Sequence, residues 1–318
     1  MKKHLFKTII LGTLIGRGFA FSSMAQDINF GRGDVLVKIP STYSNSDSYP
    51  LIILLHGYTS SGRRIDNYFK VSDLVDDYGF LFVAPDGTQE TTGRQNRSWN
   101  ATDACCNFFE SEVDDSGYIR SIIEEMQKVY NVDGRRIYLI GHSNGGFMSY
   151  RMAYEHSDKI SAIVSLAGAN HREQRDPPPN AVHVLQIHGT NDRIIDFQGG
   201  DTREYFNGRG GGYPGALRSV RRWADYNGCA VAGAGRELRD LEASLPGHET
   251  GVLKFEIGCK EGGSAELWTI ASGVHSPMFS DTFAAQVVEW LLAHPKTTNK
   301  IVRGSGQGVH EWPLHSPL

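Results

Sequence analysis

The sequence has few cysteines, little net charge and few long apolar runs. Its four cysteines are too few for a disulfide-held scaffold, and none has a spacing typical of a zinc site. The net charge of −4 and the lack of like-charge blocks do not point to a nucleic-acid partner. After the N-terminus, no segment approaches about 18 consecutive apolar residues, so we expect no membrane span in the mature chain. What remains is an ordinary globular composition, with no metal or cofactor indicated.

The N-terminus is typical of a secretory signal peptide. A basic start precedes the largely apolar stretch 5–20, and small residues flank a cleavage point near Ala25. An uncleaved anchor is the alternative. We therefore predict a signal peptide over residues 1–25, a catalytic domain over 26–295 and a poorly ordered tail over 296–318. The mature protein is then secreted or periplasmic, without membrane attachment.

The cysteines are even in number, which in an exported protein favours disulfides. Four cysteines allow three pairings. Cys105 and Cys106 are adjacent in the chain, which leaves a vicinal bridge open for them. We therefore favour the pair Cys229 and Cys259.

Apolar runs alternate with helical patterns along the chain, as in an α/β fold with a mostly parallel central sheet and helices on both faces. Residues 50–55, 80–84 and 135–140 are typical of buried strands, and residues 68–78 of a helix. The loop 199–215 is so rich in glycine that we expect no regular element there. Sites in such sheets form at the carboxyl ends of strands. Six polar or glycine residues follow predicted strand ends: His56, Asp86, Ser143, Gly168, Asp192 and His275.

The pentapeptide 141–145 has the pattern G-x-S-x-G, between a predicted strand and a predicted helix. In that context it is a nucleophile elbow, a strained turn that presents a serine hydroxyl above the sheet. Ser143 is therefore the candidate nucleophile.

A serine nucleophile needs a base and an orienting acid, which in this fold class follow it in the order acid, then histidine. Asp192 follows a predicted strand and is the candidate acid, with Asp196 as its rival. His275 follows the last predicted strand and is the candidate base. Four other histidines compete with it less well: His248, His294, His310 and His315.

The oxyanion of an acyl-transfer reaction needs two backbone N–H donors. Asn144, which follows the nucleophile, is the first candidate donor, and Tyr58 in the loop after an early strand is the second. We interpret His56, before that loop, as a packed histidine beneath the site. Asp114 and Asp115 precede a predicted helix, and we interpret them as helix caps.

Several motifs, in order over residues 34–293, resemble the esterase/polyhydroxybutyrate-depolymerase family of α/β-hydrolases, whose relatives include feruloyl and acetyl-xylan esterases. The motifs are His56-Gly57-Tyr58, Ala84-Pro85-Asp86-Gly87, Ser98-Trp99-Asn100, Cys105-Cys106, Val113-Asp114-Asp115, the run 141–148, His188-Gly189-Thr190-Asn191-Asp192 and the segment 223–229. The resemblance implies a single α/β-hydrolase domain and the triad Ser143, Asp192 and His275. It also implies that Trp99 lies near the acyl or leaving-group pocket.

The chain departs from that family around its histidine. The family commonly has Gly-Gly-His-Thr-Trp-Pro, whereas residues 273–278 read Gly-Val-His-Ser-Pro-Met and lack the aromatic lining. The sequence therefore predicts an exported serine carboxylic-ester hydrolase that acts through an acyl-enzyme, either a feruloyl- or acetyl-type esterase or a short-chain polyester depolymerase. We expect it to be a monomer. Three alternatives stay open: a hydrolase of synthetic or aromatic polyesters, a peptidase, and a non-catalytic binding protein with the same fold.

Overall fold

The computed structural model describes residues 24–91, 94–108, 111–232 and 237–297. Within these ranges, one large sheet of eleven strands has the order β1-β2-β4-β3-β7-β8-β9-β15-β14-β12, and β13 also pairs with β14. Six neighbouring strands from β4 to β15 run parallel, and the outer strands are antiparallel. This is the mostly parallel sheet that the sequence predicted.

The strands are β1 Met24–Asn29, β2 Asp34–Ile39, β3 Tyr49–Leu55, β4 Leu81–Ala84, β5 Thr88–Gln89, β6 Arg97–Ser98, β7 Val132–His142, β8 Ala162–Leu166, β9 His183–Gly189, β10 Gly199–Asp201, β11 Gly212–Pro214, β12 Ala230–Val231, β13 Leu238–Arg239, β14 Thr250–Ile257 and β15 Ser264–Ile270. The helices are α1 Gly62–Phe69, α2 Val75–Tyr78, α3 Asp115–Val129, α4 Asn144–Glu155, α5 Ala216–Asn227 and α6 Phe283–Leu292.

Strand β3 shows how the sheet builds two cores. Alternate side chains of a strand point to opposite faces. Leu51 and Ile53 therefore join the core beneath α3, α4 and α5, while Ile52 and Leu54 join the core beneath α1 and α6. A strand covered on both faces needs an unbroken apolar run, which is why residues 50–55 could be predicted as buried.

The structure describes residues at both predicted boundaries of the catalytic domain. β1 begins at Met24, so cleavage near Ala25 would fall inside this antiparallel edge strand. At the other end, the ammonium group of Lys296 donates to the carbonyl oxygen of Ile160 at 2.9 Å, so this residue of the predicted tail is held on the domain. Residues 1–23 and 298–318 lie outside the described residues.

Two predictions of local structure were wrong. The helix expected over residues 68–78 is interrupted at Lys70, which has φ 57° and separates α1 from a 3₁₀ turn and the short α2. The loop 199–215 contains a regular hairpin, because β10 and β11 pair around it. The prediction failed because strands pair through backbone atoms, which glycine also has, so a high glycine content does not prevent a hairpin.

Both expected disulfides are present, one between the adjacent Cys105 and Cys106 and one between Cys229 and Cys259. The second holds the end of α5 to the segment after β14, with the two Cα atoms 4.2 Å apart. In the four described ranges, no helix combines the length and apolar character needed to cross a membrane.

Candidate active site

Ser143 occupies the turn between β7 and α4, at the carboxyl end of a central parallel strand. Its backbone has φ 52° and ψ −118°, a conformation that non-glycine residues rarely adopt. The turn is held in place because the Ser143 N–H donates to the carbonyl oxygen of Leu166 at 2.8 Å. Such strain, retained by its surroundings, fits the elbow geometry that the motif predicted.

The two glycines of the pentapeptide are required by close backbone approach. A Cβ on Gly141 would lie 2.0 Å from the carbonyl oxygen of Gly145, and a Cβ on Gly145 would lie 2.2 Å from that of Leu55. Either contact would force the backbone apart, so the turn forms only with hydrogen in both places.

His275 and Asp192 are hydrogen-bonded at the same edge of the sheet. Nδ1 of His275, in the loop after β15, lies 2.8 Å from Oδ2 of Asp192, in the loop after β9. The backbone N–H groups of Ile194 and Ile195 each donate to Oδ1 of Asp192 at 2.9 Å. Ser143 and His275 line one cleft of about 360 Å³. The structure thus brings all three predicted triad residues to one place.

A further histidine, His188, lies beneath this pair, and sequence reasoning missed it. Its Nε2 lies 3.3 Å from Oδ2 of Asp192 and 2.8 Å from the carbonyl oxygen of Ile195. The side-chain amide of Gln186 donates to Nδ1 of His188 at 3.0 Å, which makes Nε2 the protonated nitrogen. The signal was present in the motif His188-Gly189-Thr190-Asn191-Asp192, where this histidine stands four residues before the acid.

The charge of Asp192 is stabilised by these donors. Burial would by itself raise the pKa of this carboxyl group, but the hydrogen bonds from His188 and His275 outweigh burial and hold the pKa well below its usual range. Asp192 is therefore ionised at neutral pH and can orient the ring of His275.

His142, the residue before the nucleophile, supports the loop that carries His275. Its Nε2 donates to the carbonyl oxygen of His275 at 3.0 Å. Burial, reinforced by the neighbouring His275, lowers the pKa of His142 to about 3, so its ring is neutral and has one N–H to donate.

His56 is packed beneath the cleft, as predicted. Its Nε2 accepts the backbone N–H of Gly87 at 2.8 Å, and its Nδ1 donates to the carbonyl oxygen of Gly57 at 2.7 Å. Burial lowers its pKa to about 4, which keeps the ring neutral and allows Nε2 to accept.

Trp99, expected near the acyl or leaving-group pocket, is buried between the loop after β3 and the elbow. Its side chain is 0% exposed, and its indole N–H donates to the carbonyl oxygen of His56 at 2.9 Å. The Asn144 side chain accepts from the Trp99 N–H at 2.6 Å and donates to its carbonyl oxygen at 2.9 Å. Trp99 therefore connects the loop after β3 to the turn at Ser143.

The two candidate oxyanion donors lie on the parts that Trp99 connects. The backbone N–H groups of Tyr58 and Asn144 have no acceptor among the described residues. An amide at the first position of a helix has no intrahelical partner, which leaves that of Asn144 free to bind a ligand.

The alternative candidates for the acid and the base that the structure describes do not line the cleft at Ser143. The carboxylate of Asp196 accepts the backbone N–H of Gln198 in its own turn at 2.7 Å. His294 stacks on Trp290 after α6, and His248 is exposed. His310 and His315 lie outside the described residues. In the described ranges, no group of three or more His, Cys, Asp or Glu side chains is arranged to hold a metal ion.

Of the two predicted caps, Asp114 caps α3 through its side chain and Asp115 does not. Asp114 caps α3 by accepting the Gly117 N–H at 2.7 Å, as expected. Asp115 is buried and instead accepts the N–H of Asn100 at 2.6 Å and the hydroxyl of Thr88 at 2.8 Å. It thereby ties the loop that contains Trp99 to α3.

Residues 42–207, which include the elbow, the oxyanion loop and Asp192, match the model of the Phospholipase/Carboxylesterase family. The chain belongs to this family. Feruloyl esterase B of Piromyces equi is 26% identical over 246 residues, which are 76% of this chain and 42% of that enzyme. The probable feruloyl esterase C of Aspergillus niger is 27% identical over 230 residues, or 68% of this chain and 77% of that enzyme.

The chain spans less than half the length of several relatives it matches. A bifunctional acetylxylan esterase/xylanase of Neocallimastix patriciarum is 28% identical over 169 residues, which are 52% of this chain and 22% of that protein. Among solved structures, the acetyl xylan esterase from Aspergillus awamori has a TM-score of 0.56 at 13% identity, covering 84% of this chain and 98% of that one. That likeness confirms the α/β-hydrolase fold.

Proposed function

We propose that this protein is a serine carboxylic-ester hydrolase that acts through an acyl-enzyme. Nε2 of His275 takes the proton of the Ser143 hydroxyl, whose oxygen attacks the ester carbonyl carbon. The backbone N–H groups of Tyr58 and Asn144 stabilise the oxyanion of the tetrahedral intermediate. The C–O bond to the alcohol then breaks, and His275 returns the proton to the leaving alcohol.

Deacylation repeats these steps with water as the nucleophile. His275 takes a proton from water, the hydroxide attacks the acyl carbon, and the collapse of the second intermediate releases the acid and restores Ser143. Asp192 stays ionised throughout and stabilises the imidazolium form of His275. His188 and the two backbone amides around Asp192 hold that carboxylate in place.

One observation carries the proposal. The strained turn at Ser143 and the hydrogen-bonded pair of His275 and Asp192 meet at one cleft, on the edge of the sheet where such folds place their sites. Backbone strain of this kind clusters at active sites, so the φ of 52° at Ser143 supports a catalytic role over a non-catalytic one.

For the substrate, we propose esters of the kind that the relatives' names describe, with feruloyl or acetyl groups on a carbohydrate or similar alcohol. A short-chain polyester is the second candidate, because it would use the same chemistry. Side-by-side measurement of the release of ferulate, acetate and hydroxybutyrate oligomers would rank the three classes.

We also propose that the protein is exported. The basic start and apolar stretch of residues 1–25 favour a signal peptide, and the two disulfides fit an oxidising compartment. Mass spectrometry of the mature N-terminus after expression with the native leader tests this proposal.

The catalytic proposal is tested by labelling with a fluorophosphonate probe, which reacts with activated serines. We expect wild-type protein to be labelled and Ser143→Ala to be unlabelled and unable to release 4-nitrophenol from 4-nitrophenyl acetate. Ser60→Ala is the matched control, because this serine lines the same cleft and should leave labelling in place. Undiminished turnover by a folded Ser143→Ala protein would overturn the assignment.

A further inference from the structure

The cleft at Ser143 carries one permanent charge. Among the described residues that line it, Arg64 alone has a side chain that is ionised at every working pH; the other lining residues are neutral, with His275 serving as the base. The whole chain has a net charge of −4, so a cationic side chain that lines this cleft stands out on an acidic protein. A lone cation beside a nucleophile has no part in the ester chemistry described above.

Arg64 is placed at the cleft by helix α1. The helix begins after Ser61, whose hydroxyl oxygen accepts the Arg64 N–H at 3.3 Å and fixes the first turn. Tyr68, one turn later on the same face, lines the same cleft. Because α1 also packs its buried side against the sheet through Ile65 and Phe69, the position of Arg64 is set by a regular element.

The guanidinium of Arg64 has no partner among the residues that the structure describes. No ion pair or side-chain hydrogen bond joins it to any of the described residues, and its side chain is exposed. Its neighbour Arg63 differs, because that guanidinium forms an ion pair with Asp27 of β1. The two adjacent arginines thus have different surroundings: Arg63 forms an ion pair with a residue of the edge strand β1, and Arg64 lines the cleft.

The carboxylates nearest the cleft are already engaged. Glu90 accepts the hydroxyl of Tyr58 at 2.7 Å, and Asp192 is buried beneath His275. Asp66, two residues after Arg64 on α1, is buried and accepts the Ser72 hydroxyl at 2.6 Å. The charge of Arg64 is therefore available to a ligand.

We propose that Arg64 is a specificity residue that binds a carboxylate carried by the ester substrate. The inference rests on the proposed function, since it concerns the substrate of the same site. A guanidinium presents N–H donors in a planar fork that matches the two oxygens of a carboxylate, and a charge-assisted pair of this kind is stronger than a neutral hydrogen bond. The preferred substrates are then esters with an acidic group near the scissile bond, on either the acid or the alcohol part.

Two matched pairs of esters test the proposal and locate the acidic group. The first pair is 4-nitrophenyl hemiadipate and 4-nitrophenyl hexanoate, which differ by a carboxylate at the end of the acyl chain. The second pair is 4-carboxyphenyl butyrate and 4-carbamoylphenyl butyrate, which differ by a carboxylate on the alcohol part. The measured quantity is the ratio of kcat/KM for the charged ester to kcat/KM for the neutral one, at pH 7.5 and low salt.

We expect Arg64→Gln to lower this ratio by about tenfold for at least one pair, chiefly through KM, since the contact is made in the ground state as well as the transition state. Arg64→Lys should retain most of the ratio, and Arg64→Glu should lower it further. Arg63→Gln, the matched control, should leave the ratio as in the wild type. Half-molar salt should also lower the wild-type ratio, because the cleft is open to solvent.

The outcomes separate this proposal from the assignment of the reaction. If the wild type hydrolyses neutral esters but its ratios are the same in Arg64→Gln and Arg63→Gln, the role of Arg64 is overturned and the esterase assignment stands. If the wild type hydrolyses 4-nitrophenyl acetate but none of the four esters, the role of Arg64 is overturned and the esterase assignment stands. If it hydrolyses neither 4-nitrophenyl acetate nor any of the four esters, both are overturned. A ratio that falls equally in both arginine variants reflects net charge alone and also contradicts the proposal.

Discussion

The floor of the cleft and its rim are built in different ways. On the floor, His56, His142, His188 and Asp192 each have defined hydrogen-bond partners and are buried. On the rim, the guanidinium of Arg64 has no described partner. The loop after His275 also carries Met278, whose side chain is 65% exposed and lines a neighbouring cavity that shares Tyr68 with the cleft. A preorganised floor suits a reaction whose charges must be stabilised without rearrangement, whereas a loosely held rim can change with the substrate. The contrast predicts that floor substitutions affect every ester and that rim substitutions affect only some.

The largest effect is expected from the acid on the floor. Asp192→Asn removes the negative charge that orients His275, and we expect kcat to fall by about 10⁴-fold, the loss typical when the acid of such a triad is made neutral. Asp196→Asn, the matched control at the rival acid, should change kcat by less than about twofold, because that side chain only closes its own turn. Steady-state kinetics of both variants on 4-nitrophenyl acetate measure the two kcat values. An equal loss of kcat in both variants would contradict the assignment of Asp192 as the acid.

The second prediction concerns stability in acid. His56 and His142 have pKa values of about 4 and about 3 in the folded protein, against about 6.5 when unfolded. Below pH 6.5 the unfolded chain therefore binds protons that the folded chain does not. The free energy of unfolding is then highest above pH 6.5, where these histidines are neutral in both states, and it decreases as pH falls. From pH 7.5 to 5.5, the two residues together should lower the free energy of unfolding by about 3 kcal/mol.

Urea unfolding at the two pH values measures this loss. His171 and His183, also buried with lowered pKa values, add to it in the same direction. In His142→Gln the difference between the two pH values should shrink by about 1.4 kcal/mol. His248→Gln, at an exposed position, should leave it unchanged. Equal unfolding energies at both pH values would show that the floor histidines are not held neutral.

Sequence patterns predicted the floor better than the rim because the floor consists of motifs in fixed order. The pentapeptide around Ser143, the acid after β9 and the histidine after β15 are each tied to a strand end, and apolar runs reveal strand ends. His188 was missed because a histidine inside an apolar strand is usually a packing residue, and its contact with Asp192 needs three-dimensional geometry. The role of Arg64 was not predictable, because its neighbour Arg63 is chemically identical and only the helix phase separates them.

Two other local features were beyond the sequence. The resemblance implied only that Trp99 lies near the pocket, and the hydrogen bonds that bury its indole and backbone became visible only in the structure. The break at Lys70 is a backbone conformation that no residue type in that segment announces, because φ near 57° is usually taken by glycine. The placement of Trp99 depends on contacts between segments far apart in the chain, whereas local hydrogen bonds to Asp66 surround the break at Lys70.

The third prediction separates the two roles considered for Trp99. Trp99→Phe keeps the aromatic packing but removes the donor to the carbonyl oxygen of His56, which leaves that buried acceptor unpaired. We expect kcat to fall by about tenfold, with little change in KM, because the spacing of the two oxyanion donors loosens. The change should be similar for acetyl and feruloyl esters. A KM effect confined to feruloyl esters would instead indicate direct contact with the substrate.

The smallest effect is expected outside the floor at Met278, in the loop after His275, whose side chain lines the neighbouring cavity. This loop is fixed by its backbone, since the Met278 N–H donates to the buried carboxylate of Glu242 at 2.9 Å, and Met278→Ala keeps that bond. Because the side chain is mostly in solvent, we expect the free energy of unfolding to change by less than about 0.5 kcal/mol. For 4-nitrophenyl acetate, kcat/KM should stay within about twofold of the wild type, whereas a bulky feruloyl ester should lose about two- to threefold through the apolar contact removed. Measuring both esters on the one variant tests the division between floor and rim directly. A large loss with the acetyl ester would mean that the loop holding His275 depends on this side chain, and the rim would then belong to the catalytic machinery.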